Sequence, residues 1–126
     1  CVSCHNPHKP AEFSIKQQCA DCHVDLAASY ATSFKGEAGI QCEDCHMPYA
    51  TLSAQPLGPH KGDKRTHIFN IDTRAGVSMF TEDGSEVKLD ENGKAAVTLD
   101  FTCKRCHQGT PVETLSYFAE GFHDTH

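Results

Sequence analysis

Apolar and polar positions change rhythm several times along this chain, and the pattern predicts short elements rather than long ones. VDLAASYATSFKG, residues 24–36, has helical spacing and predicts a helix closed by Gly36 as its C-terminal cap. From 68 to 102 the rhythm changes. IFNI, GVSMF, EVKL and AAVTLDF alternate or are β-prone, and the dipeptides Asp83-Gly84 and Asn92-Gly93 separate them as turns. That stretch predicts a small antiparallel β-hairpin region. The final segment, TPVETLSYFAEGFHDTH, predicts a helix again. Thr110 and Glu113 have capping-box spacing, Pro111 suits the first helical position, and Leu115, Phe118, Ala119 and Phe122 form an apolar face. At about 100° per residue His126 falls within that face and His123 at its edge, with Gly121 placed to disturb the register.

The apolar groups are small and scattered, with a mean hydropathy of −0.48 and no tryptophan. At 126 residues the chain predicts one domain, residues 1–126, with the hairpin as an insertion at about 68–102. No run approaches the roughly 18 apolar residues of a membrane span. The formal charge of −6 argues against a nucleic-acid partner held by counterion release. Basic residues gather only in HKGDKRTH, residues 60–67, which reads either as a solvated loop or as an anion-pairing segment. The acidic DGSE and DENG stretches lack the spacing of a calcium loop and read as turns. Side chains alone would make a thin core, so something else is expected to fill the interior.

All eight cysteines lie in four copies of one pentapeptide: CVSCH at 1–5, CADCH at 19–23, CEDCH at 42–46 and CKRCH at 103–107. Eight cysteines allow four disulfides. Cys1, Cys4, Cys19 and Cys22 also approach the spacing of a zinc ribbon. C-x-x-C-H is, thirdly, the attachment motif of c-type haem. The histidines separate these readings. Nine of 126 residues are His, so four of four motifs ending in His arise by accident about 3 times in 100,000, and neither disulfides nor a four-cysteine zinc site needs them. The intervals of 13, 18 and 56 residues between motifs suit haem attachment, in which each pentapeptide acts alone.

The spacing has a chemical reason. Cysteines three apart sit one helical turn apart, on one face, where both sulfurs reach the vinyl groups of a single porphyrin. The following His stays on that face and reaches the iron. Cys1, Cys4 and His5 thus hold one haem; Cys19, Cys22 and His23 a second; Cys42, Cys45 and His46 a third; Cys103, Cys106 and His107 a fourth. The fold expected is a small multihaem cytochrome c, mostly short α-helices and coil wrapped around four covalent haems.

Each iron has a further axial position, whose occupant sets potential and reactivity. His8, His60, His67, His123 and His126 lie outside the motifs and are the candidate metal ligands there. His8, three residues after His5, is expected to serve a neighbouring haem rather than its own. His60 and His67 bracket the basic segment between the third and fourth motifs. One of His123 and His126 is spare or reaches a haem in another molecule. Met47 and Met79 are the rival ligands, less well placed. Lys61, Lys64 and Arg65 are charges expected to tune nearby potentials.

Over residues 42–107 the run CEDCHMP, GDKRTHIFNI, a hairpin with Asp-Gly, and VTLDFTCKRCH resembles the multihaem c-type cytochromes of metal-respiring bacteria and archaea. The resemblance implies His67 as a distal ligand. With four motifs the chain is most similar to small tetrahaem cytochromes that polymerise into extracellular filaments, in which a His of one subunit can ligate a haem of the next. The resemblance thus implies a homopolymer with inter-subunit ligation. Those relatives carry residues before the first motif, whereas this sequence starts on a motif cysteine, which points to a processed or partial start.

The function expected is electron transfer through closely spaced bis-His haems, with redox proteins or extracellular acceptors as partners. No enzymatic role is expected: bis-His irons have no open site, and no motif has the C-x-x-C-K form that nitrite reductases of this broad lineage use. The alternatives are a periplasmic electron shuttle and a multihaem reductase. Because c-type haem is attached outside the cytoplasm, the cell exterior or the periplasm is the expected location.

Overall fold

The structure, a computed structural model, describes residues 1–125. His126, a candidate ligand, lies outside the described residues. The chain forms two compact units, residues 1–40 and 41–125.

The first unit is built from turns. Its first motif closes on itself through the His5 amide and the Cys1 carbonyl, 2.8 Å apart. A single antiparallel bridge joins His5 to Ile15 around a 3₁₀ turn at Ala11–Phe13. The second motif opens with a 3₁₀ turn at Cys19–Asp21, and His23 then caps helix α1, Val24–Ala31. The single helix expected over 24–36 is instead two. Thr32 ends α1, and α2, Phe34–Glu37, restarts where the Ser33 hydroxyl accepts the Gly36 amide. Gly36 therefore lies inside a helix, and the glycine at positive φ is Gly39. Its neighbour Ile40 is held to α1 through the Tyr30 hydroxyl.

The second unit begins with α3, Cys42–His46, which is the third motif itself. Pro48–Thr51 then pairs antiparallel with Gly62–Thr66: Gly62 donates to Tyr49, Thr51 and Lys64 exchange two bonds, and Thr66 donates to Pro48. Strand β1, Ile71–Asp72, pairs with β2, Val97–Thr98, in parallel register, Ile71 beside Val97. This corrects the expected antiparallel hairpin. The turns at Gly84 and Gly93 form as the dipeptides predict, both at φ 72, but each closes only one antiparallel bridge, Phe80 to Val87 and Leu89 to Ala95. The longer connection between Asp72 and Val97 is what permits parallel pairing. Helix α4, Leu99–Thr102, follows directly and delivers the fourth motif.

Around this sheet lies the core: Ala50, Met79 and Val97, with Ile68, Phe80, Val87 and Phe101 packed on them. Leu99 is 1% exposed, and the Phe80 and Phe101 rings meet edge to face. Met79 is thus a core side chain.

Helix α5, Val112–Ala119, starts from Pro111 with no side-chain cap, so the expected Thr110–Glu113 box does not form. Of its apolar face only Leu115 is buried. The Ser116 hydroxyl donates to the Thr73 carbonyl, tying α5 to the end of β1. The helix ends where Glu120 turns extended, at ψ 125, and Gly121 follows in the left-handed region at φ 62. The short α6, Phe122–Thr125, carries His123 in a new direction.

Candidate haem-binding site

The four pentapeptides fold alike. In each, the amide four residues on returns to the first cysteine's carbonyl or lies within a helical turn, which brings both cysteines and the histidine to one side. In two of them the sequence supplies a device that motif matching overlooks. Gln18 and Asp21 form a capping box around the second motif, and Gln41 and Asp44 repeat it around the third. The Asp side chain accepts the Gln amide at 2.7 and 3.0 Å. The signal was present in the sequence as Q-C-x-D-C-H, twice.

None of the eight cysteines is in a disulfide. Among the described residues no cluster of three or more His, Cys, Asp or Glu is placed to hold a metal ion, so a four-cysteine zinc geometry is not formed. The surroundings fit a large apolar group. From residue 1 to 40 no side chain is buried, and Phe13, Ile15, Val24 and Phe34 are 54–86% exposed. A unit of about 40 residues usually draws on disulfides, a metal or oligomerisation for stability, and covalent haem would add apolar surface of the same use. The chemistry of the donor set, paired thiols beside an imidazole and apolar side chains, is that of covalent haem. Beside the fourth motif the buried hydroxyl of Thr102 has no protein partner, leaving a polar contact for a bound group.

The clearest geometry joins the third motif to the C-terminal segment. His46 Nδ1 lies 2.8 Å from the Phe69 carbonyl oxygen. A carbonyl only accepts, so Nδ1 carries the proton and Nε2 presents its lone pair. That Nε2 faces Nε2 of His123 at 3.5 Å. The ring planes differ by 11° and the centroids are 5.8 Å apart. The difference between 5.8 and 3.5 Å is about 2.3 Å, twice the roughly 1.1 Å from the centre of a five-membered ring to its nitrogen. The rings are therefore collinear and meet head-on, not face to face. Two metal–imidazole bonds of about 2.0–2.1 Å span about 4 Å, so the spacing falls short of that of two ligands on opposite sides of one iron by roughly half an ångström. Burial is the first cause of a lowered His123 pKa, and Asp124 opposes it.

The other candidates are placed less tightly. His60 shares a small cleft with Lys61, Arg105 and Gln108, which brings it beside the fourth motif. His67 is exposed, its ring edge-on to Phe69. His8 is exposed, its amide held by the Asn6 side chain. In the first motif His5 Nδ1 lies 3.5 Å from the Ser14 hydroxyl, and His23 and His107 are exposed. Of the basic residues, Lys61 lies over the Tyr49 ring, while Arg65 is held against the third motif.

Residues 5–47 match the family described as cytochrome c554 and c-prime. Over 104 residues the chain is 24% identical to cytochrome c nitrite reductase subunit NrfH of Nitratidesulfovibrio vulgaris, covering 82% of this chain and 58% of that protein. The octahaem sulfite reductase MccA of Wolinella succinogenes shares the fold, with a TM-score of 0.58 at 22% identity over 82% of this chain and 20% of that one. The chain spans little more than half of the first relative and a fifth of the second. One of these proteins is a reductase subunit and the other a reductase. This corrects the expectation of a carrier with no part in an enzyme, while the filament expectation draws no support from them. The likeness, over most of the chain, is to multihaem c-type cytochromes associated with reductases.

Proposed function

We propose that the chain is an electron-transfer module of a reductase system, carrying covalent haem c at each of its four C-x-x-C-H segments. When bound, haem c would supply reversible one-electron chemistry. The protein's part is attachment and ligation. Cys1 and Cys4, Cys19 and Cys22, Cys42 and Cys45, and Cys103 and Cys106 would make the thioether links. His5, His23, His46 and His107 would be the proximal ligands.

The observation that carries this reading is the head-on pair of His46 and His123. With Nδ1 of His46 donating to the Phe69 carbonyl, its Nε2 lone pair can accept the His123 Nε2–H or bind a cation set between the two rings. Imidazole from both residues would suit electron passage at an iron held there. His60, beside the fourth motif, is the distal candidate there; His67 and His8 remain candidates for the other irons.

The relatives are named as a nitrite reductase subunit and a sulfite reductase, and the reading takes from them delivery of electrons to a reductase of small nitrogen or sulfur oxyanions; attachment of c-type haem outside the cytoplasm supplies the location. Among the described residues no helix is long and apolar enough to cross a membrane.

The test is mass spectrometry and absorption spectroscopy of the protein matured in a cytochrome c-producing host. A mass excess of four haems, with low-spin spectra, is expected; a mass equal to the bare polypeptide would overturn the proposal. His123→Ala should convert about one haem in four to high-spin. Mixing the reduced protein with nitrite or sulfite, alone and then with a cognate reductase, tells direct reaction from delivery.

A further inference from the structure

Three charged side chains join the third and fourth motifs, and two of them occupy the variable positions within the pentapeptides. Asp44 precedes the second cysteine of CEDCH, and Arg105 precedes the second cysteine of CKRCH. One carboxylate oxygen of Asp44 receives both Arg65, at 2.9 Å, and Arg105, at 3.3 Å. The other accepts the Gln41 amide at the start of α3. Arg65 does more than pair. Its second terminal nitrogen donates to the carbonyls of Glu43, at 2.7 Å, and Met47, at 3.1 Å. The Glu43 carbonyl also accepts the Met47 amide, at 3.0 Å, and Met47 caps the C-terminal end of the helix that carries His46, so the guanidinium is bonded on both sides of that histidine. The guanidinium also lies over the Tyr49 ring, 4.7 Å from its centroid. The Asp44, Arg65 and Arg105 side chains are only 20–30% exposed.

We propose that Arg65 and Arg105, meeting on Asp44, are positioning residues that clamp the third and fourth haem-attachment motifs to each other and fix the orientation of His46. This rests on the haem-binding reading above. A planar fork is needed: one guanidinium serves two carbonyls, a carboxylate and a ring face at once, which an ammonium cannot reproduce. Charge also enters. Reduction adds an electron, so a nearby cation favours the reduced state and a nearby anion opposes it. Asp44 and the arginines offset one another, so the clamp adds rigidity with little net field.

The test uses the holoprotein with Arg65→Lys, Arg105→Lys, Arg105→Gln and Asp44→Asn. Each variant is read by covalent haem content, by potentiometric titration and by the low-temperature EPR spectrum of the oxidised state. Arg65→Lys keeps the charge and loses the fork. It should alter the EPR signal of at least one low-spin haem and shift its titration by about a threefold change or more in the reduced-to-oxidised ratio at fixed potential. Asp44→Asn should move the affected titration towards easier reduction, and Arg105→Gln towards harder. The Asp44→Asn and Arg105→Gln double variant should depart from the sum of the two single shifts, which have opposite signs, because each single change has already broken the shared bond. Wild-type EPR and titration in Arg65→Lys would overturn the clamp, as would strict additivity in the double variant. If Arg65→Lys does not fold, Arg105→Lys carries the same comparison. Loss of haem-borne colour from the unaltered protein would instead count against the haem reading itself.

Discussion

The backbone carbonyl of Phe69 holds Nδ1 of His46 at 2.8 Å, across 23 residues of sequence. This one bond decides which ring nitrogen of the third motif's histidine faces outward, and His123 occupies the direction it faces. A carbonyl acceptor placed in this way fixes tautomer and ring orientation together.

Replacing His123 with methionine tests that pairing. Methionine in place of an imidazole raises the potential of the iron it ligates, within the roughly 0.8 V range that axial ligands span. In His123→Met one redox transition should move to higher potential and the others should stay. Potentiometric titration checks it. An unchanged titration would show that His123 ligates no iron.

Leu99 stands at the junction of β2 and the fourth motif. It is 1% exposed, and its carbonyl accepts the amides of Cys103 and Lys104. Truncating a leucine so enclosed costs the lost burial plus the cavity left behind, about 2–5 kcal/mol. Leu99→Ala should lower the unfolding free energy by that amount in denaturant titration. A loss under about 1 kcal/mol would mean that the sheet is not the core of this unit.

Gly62 admits no side chain. Its amide donates to the Tyr49 carbonyl at 2.7 Å, and a Cβ there would collide with the carbonyl of Thr51. Gly62→Ala should therefore push apart the two segments that present Arg65 to α3, at a cost of about 1–3 kcal/mol. Thermal unfolding gives the stability, and exchange of the Thr51 and Lys64 amides shows whether the pairing opens.

Asp83 closes the first of the two turns. Thr81 donates its hydroxyl at 2.6 Å, and Ser85 gives its hydroxyl at 2.8 Å and its amide at 3.2 Å. These hydrogen bonds favour the charged carboxylate, holding its pKa at about 2 against an ordinary 3.8. The folded value is the lower one, so the stabilisation is present above 3.8 and is lost as the pH falls from there through about 2. Asp83→Asn should lose less stability than the parent chain between pH 5 and pH 2. Parallel losses in the two proteins would show that the bonds do not form.

Four repeats of C-x-x-C-H were enough to reveal the cofactor chemistry, because each pentapeptide is a local device whose spacing equals one helical turn. The turns at Gly84 and Gly93 were legible for the same reason: their dipeptides carry the required backbone conformation. So was the repeated Gln and Asp pair around the second and third motifs, although it takes a capping rule to see it. Relationships between distant segments were not legible. The parallel pairing of Ile71 with Val97 depends on how the chain between β1 and β2 returns, and no alternation of apolar residues specifies that direction. Gly121 marked a candidate break in the sequence, but the extended Glu120 before it, and so the direction in which His123 leaves α5, did not show there. Arg65 stood out in sequence as part of a basic segment, but Asp44 and Arg105 did not show as its companions, because a guanidinium's partners are chosen by what folding brings near it. The chain's local chemistry is written residue by residue; which histidine meets which, and which charges lock the motifs together, follows only from long-range packing.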